Sequence, residues 1–91
     1  MTVTLVVPAA LRHCAGGSGS VAVEGATLGE VFDHLAQQLP VLEHRLRDER
    51  GMLRPHVLVF VDGVMVRGDT GFAMPVHDGT EVYIAPAVAG G

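Results

Sequence analysis

Lysine and tryptophan are absent from the 91 residues, and cysteine and tyrosine occur once each. The lone Cys14 cannot close an internal disulfide or build a cysteine-based metal site, which fits a reducing compartment. Without lysine, six arginines face ten carboxylates, and the net charge is −4. The arginines form no basic stripe with interleaved aromatics, so nucleic acid is not an expected partner. No apolar run approaches the length of a bilayer span, and no charged-then-apolar leader opens the chain. A cytoplasmic protein with no membrane partner is therefore expected.

What is present suits one small domain. Apolar residues make up 48% of the chain, enough for a single modest core at this length. "TVTLVVP" alternates Thr2 and Thr4 against Val3, Leu5 and Val7, a half-buried strand closed by Pro8. "HCAGGSGS" reads as turn chemistry, with Gly16, Gly17 and Gly19 free to take positive φ. "SVAVEG" is a second short strand, so residues 2–24 read as a hairpin with a long loop.

The period then changes. Thr27 followed by Glu30 spells a capping box, and Leu28, Val31, Phe32, Leu35 and Leu39 form one apolar helical stripe that ends before Pro40. In residues 40–55, Val41, Leu42 and Leu46 could make a short second helix, and "RDERG" reads as a charged surface loop. "HVLVFVDG" is the strongest strand signal, Asp62-Gly63 a hairpin turn, and Val64 to Val66 the start of a return strand. A loose stretch with Gly68, Gly71 and Pro75 precedes the last strand, where Val82 and Ile84 alternate with Glu81 and Tyr83.

One helix with one apolar stripe covers one face of one sheet, which is a two-layer α+β domain. The outer face of "VLVFV" is then either covered by residues 40–55 or left open as a docking surface.

No constellation of catalytic groups emerges. His13, His34, His44, His56 and His77 are scattered, without the paired spacing of a helical metal site, so no metal site is expected. Cys14 reads as an idle thiol in a glycine-rich loop. Asp62 with Asp69, or Asp78 with Glu81, read as turn and edge residues instead of paired catalytic carboxylates. The chain is not expected to be an enzyme.

The most unusual chemical feature is the end, "IAPAVAGG". A terminal carboxylate is ionised at neutral pH and inert as an acyl donor, whereas joining it to AMP supplies a leaving group. Residues 86–91 can extend to roughly 20 Å, and Ala89, Gly90 and Gly91 are slim enough for a narrow tunnel. The chain thus divides into a globular domain, residues 1–85, and a flexible tail, residues 86–91. The missing lysine has two readings: a genome that favours arginine codons, or a protein with an activated C-terminus that gains by lacking amines.

The element order, the "LR...GG" after the first strand, "TLGEV" opening the helix and the closing "PAVAGG" together resemble the ubiquitin-like β-grasp sulfur carriers of the ThiS and MoaD families. Within them the likeness is greatest to the CysO type, which serves cysteine biosynthesis. The resemblance implies one mixed sheet of four to five strands under a single main helix. It also implies that an E1-like enzyme adenylates the Gly91 carboxylate with ATP and that a sulfur donor replaces AMP to give a thiocarboxylate. Gly90, Ala89 and Val88 would serve tail access and partner contacts. A PLP-dependent cysteine synthase would then take the sulfur onto an aminoacrylate, and a zinc-dependent JAMM-type peptidase would release cysteine. ATP, PLP and zinc would belong to these partners, and the chain itself would bind no cofactor. Two alternatives stay within the architecture: a MoaD-type small subunit of molybdopterin synthase, or a secondary-metabolite sulfur carrier. A third, of another class, is a ubiquitin-like protein modifier or non-covalent adaptor.

Overall fold

The computed structural model describes residues 1–66 and 71–86. The strands are β1 Thr2–Val6, β2 Ser20–Glu24, β3 Val57–Val61, β4 Val64–Met65 and β5 Glu81–Pro86, and the helices are α1 Leu28–Gln38 and α2 Pro40–Leu46. Five strands form one mixed sheet in the order β2-β1-β5-β3-β4. β1 and β5 run parallel at its centre, and the other neighbours are antiparallel. This is the expected β-grasp, with five strands.

α1 forms where the capping signal places it. The Thr27 hydroxyl accepts from the Glu30 amide at 3.2 Å, and the Glu30 carboxylate reaches back to the Ala26 amide at 3.1 Å. The return bond falls one residue ahead of Thr27, so the box closes on the residue before the cap. Leu28, Val31, Phe32 and Leu35 are buried against Val3, Leu5, Val59, Val82 and Ile84 of the sheet. Burying each such side chain contributes about 1.5–3 kcal/mol. Leu39, expected in that stripe, is the non-helical cap residue at the break and only partly buried.

Pro40 starts α2, which packs on α1 and sends Leu42 and Leu46 into the same core, while Val41 is exposed. α2 therefore builds on the helical side, and Tyr83 and Met65 on the outer face stay exposed at 47% and 54%. Asp62 and Gly63 both take positive φ, 47° and 86°, the two-residue hairpin turn that the sequence signals. Asp62 also ties this turn to β5, its carboxylate accepting from the Glu81 amide at 2.9 Å.

Four expectations need correction. The long loop after β1 contains a 3-10 helix, Ala9–Ala15, and of its glycines Gly16 and Gly17 take positive φ whereas Gly19 does not. The return strand β4 stops at Met65, and Val66 is buried with its amide bonded to the Val59 carbonyl at 2.8 Å. Strand β5 continues through Pro86, one residue into the stretch assigned to the tail, because proline at a strand end leaves no needed donor missing. Finally, Arg47 is not on a surface loop. Its guanidinium lies 5.3 Å from the Phe32 ring and 5.5 Å from the Phe72 ring, and it pairs with Glu43 at 2.5 Å and Asp33 at 3.1 Å. Gly68 and Asp69 lie outside the described residues.

Two substitutions test this packing. A Cβ on Gly25 would meet the backbone nitrogen of Val31 at 2.7 Å, so Gly25→Ala is expected to lose about 1–3 kcal/mol in urea unfolding. An unchanged midpoint would show that β2 and α1 are not this close. Arg47→Ala is expected to cost about 2 kcal/mol and Arg47→Lys to restore only part of it, since an ammonium cannot stack and fork together. Full recovery with lysine would reduce Arg47 to a simple charge.

Candidate functional site

The candidate site is the C-terminal end of β5 together with the sheet face beside it. Gly91, Gly90, Ala89 and Val88 lie outside the described residues. What the structure describes is the strand that presents them. β5 is flanked by β1 and β3, with Val6 opposite Tyr83 on one side and Leu58 and Val57 opposite Ala85 and Pro86 on the other. The chain is thus held in the sheet up to Pro86.

Strand registration also composes the outer face. Val6, Tyr83, Phe60 and Met65 lie opposite one another across β1, β5, β3 and β4. Residues directly opposite share a face, so these four make one apolar row. Tyr83 and Phe60 meet edge-on with ring centroids 6.5 Å apart. This row belongs to no core, which leaves open the docking alternative for the "VLVFV" face.

A cavity of about 310 Å³ opens beside the end of β5. Its apolar wall includes Leu11, Val57, Ile84 and Pro86, and Arg45 and His56 stand on it. No local sequence signal marks this cavity, because its walls come from the 3-10 helix, α2 and the ends of β3 and β5.

The opposite end of the sheet is acidic. Glu24 lies beside the Met1 amine at 3.6 Å, Asp78 accepts from the Thr2 amide at 2.8 Å, and Asp62 and Glu81 are joined there. The hydrogen bond from the Thr2 hydroxyl, helped by the Met1 charge, holds the Glu24 carboxyl below its usual range. Hydrogen bonds from Arg50 and the Met52 amide do the same for Asp48 in the turn after α2. With lysine absent, Met1 carries the chain's amine, and it lies at the Glu81 end of β5, five residue steps or roughly 17 Å along the strand from Pro86.

The other candidates stay apart. His13 is on the 3-10 helix, His34 and His44 are on α1 and α2, His56 is at the cavity and His77 is in the turn before β5. Among the described residues no three His, Cys, Asp or Glu side chains gather as a metal site. Cys14 packs partly buried against the core. No helix is long and apolar enough to cross a membrane, among the described residues.

Because the outer row is outside the core, Met65→Ser is expected to change stability by no more than about 0.5 kcal/mol, whereas Val59→Ala on the inner face of β3 is expected to cost roughly 2 kcal/mol. Equal losses in thermal unfolding would show that something covers the outer face.

Comparison with known proteins agrees with the fold and extends over the tail. The family model described as "ThiS family" matches residues 5–91. The sulfur carrier protein CysO of Mycobacterium tuberculosis is 40% identical over 93 residues, covering 100% of both chains. Its crystal structure superposes with a TM-score of 0.85 at 38% identity, covering 94% of this chain and 99% of that one. The BexX/CysO complex of Amycolatopsis orientalis contains a chain with a TM-score of 0.85 and 37% identity, covering 98% and 99%. Small archaeal modifier protein 1 of Haloferax volcanii has a TM-score of 0.79 at 28% identity, covering 96% and 98%. From the strand order to the end of the chain, this protein belongs to the ThiS family.

Proposed function

We propose that the chain is a sulfur carrier for cysteine biosynthesis, a protein substrate of other enzymes and not itself an enzyme. The observation that carries this is the likeness to CysO along the whole length, 40% identity with 100% of both chains covered, ending in Gly90-Gly91. In this scheme an E1-like enzyme transfers AMP from ATP onto the Gly91 carboxylate, releasing pyrophosphate. Attack by a sulfur donor expels AMP and leaves a thiocarboxylate, the activation and displacement logic of covalent catalysis. Gly90 and Ala89 let the tail enter an enclosed site, and Val88 touches its walls.

A PLP-dependent cysteine synthase takes the sulfur, and a zinc-dependent JAMM-type peptidase frees the product. ATP, PLP and zinc belong to those enzymes. The CysO of Amycolatopsis orientalis forms a complex with BexX, which supports docking by a partner protein here. The apolar row Val6, Tyr83, Phe60 and Met65 is the surface offered for it.

A second reading, a protein modifier, is favoured by the likeness to small archaeal modifier protein 1 at 28% identity. There the activated Gly91 would pass to lysines of other proteins, since this chain has none.

The test is reconstitution with the adenylating enzyme of the native host, ATP and a sulfur donor. Deleting Gly91 is expected to abolish the alkylatable thiocarboxylate while the thermal midpoint stays within about 1 °C, a change well below that of a lost packing contact. Cys14→Ser is expected to leave its formation intact. Thiocarboxylate formed without Gly91, or lost with Cys14, would overturn the assignment, and isopeptide conjugates in its place would favour the modifier.

A further inference from the structure

The cavity beside Pro86 plays no part in the scheme above, and three features give it an occupant. The first is reach. Residues 87–91 span at most roughly 17 Å, so whatever encloses Gly91 must bring its own surface close to Pro86, which forms part of the cavity wall. The second is charge. Arg45 and His56 stand on this otherwise apolar site, no carboxylate lines it among the described residues, and Arg45 is exposed and in no ion pair there. Carboxylates cluster at the other end of the sheet, at Glu24, Asp62, Asp78 and Glu81. The third is size. About 310 Å³ is at the small end of ligand clefts, room for one or two protein side chains.

We infer that this cavity is a docking site for the enzyme that activates Gly91, which fills it with an apolar side chain and sets a neighbouring carboxylate against Arg45. The inference rests on the carrier reading and adds to it a second contact, on the other side of the Pro86 root from the apolar row. The cavity holds the enzyme beside Pro86, within reach of Gly91. Arg45 steers the approach of an acidic surface, since charge at the rim of an interface acts chiefly on encounter. Both act on how well the carrier is held and not on the adenylation step.

The test is carrier-dependent exchange of pyrophosphate into ATP by the native adenylating enzyme, with the carrier as the varied substrate. Arg45→Glu reverses the charge, and Ala10→Trp, at an exposed residue of the cavity wall, fills the space. Each is expected to raise KM for the carrier about five- to tenfold, with kcat within about twofold and the thermal midpoint unchanged. Arg50→Glu, the same charge change on the turn after α2, is expected to leave KM alone.

Unchanged KM in both cavity variants overturns the docking while leaving the carrier reading intact. A lowered KM also overturns it, since the cavity would then restrain the chain's own tail, and so does a dimer that Ala10→Trp abolishes. Absence of any exchange with the wild-type carrier overturns the activation itself and this inference with it.

Discussion

The parallel pairing of β1 with β5 is the constraint on which the rest depends. Thr4, Leu5 and Val6 lie beside Glu81, Val82 and Tyr83, and a parallel pair cannot be joined by a tight turn. The chain between them must cross over, and in doing so it lays α1 across the inner face and adds β3 to the far side of β5. With both strands running the same way, Met1 and Pro86 fall at opposite ends of the sheet. One end gathers Glu24, Asp62, Asp78 and Glu81, and the other carries Arg45, His56 and the root of the tail. The last described residue, Pro86, is thereby placed at the end of the sheet away from the Met1 amine.

The inner layer holds the helices against one face of the sheet. Most of that comes from apolar burial, but the junction of α1, α2 and residues 71–73 is held differently. Arg47 lies near the rings of Phe32 and Phe72 and is paired with Asp33 and Glu43, so one cation joins three segments. Only 12% of its side chain is exposed, which spares it much of the solvent screening that weakens surface pairs.

Signals confined to a few neighbouring residues were legible. The Thr27 cap with Glu30, the stripe from Leu28 to Leu35 and the Asp62-Gly63 turn each depend on local spacing, and each stands where expected. What could not be read depends on contacts between distant residues. Arg47 looks like one of a run of charges until Phe32 and Phe72 are folded around it. The Ala9–Ala15 segment becomes a 3-10 helix without any capping side chain, with Leu11 and Cys14 packing on the core. The cavity exists only after four elements converge. Gly91 shows the reverse case: a chemical signal carried wholly by sequence, outside the described residues.

The central claim is that Gly91 carries sulfur. The most direct measurement is the intact mass of the protein purified from its native host under sulfur-replete growth, with fragmentation to place any change. A carrier should show a fraction heavier by the exchange of one oxygen for sulfur, located on Gly91 and removed by a thiol-alkylating trap. An unmodified mass with no trappable thiocarboxylate would contradict the claim.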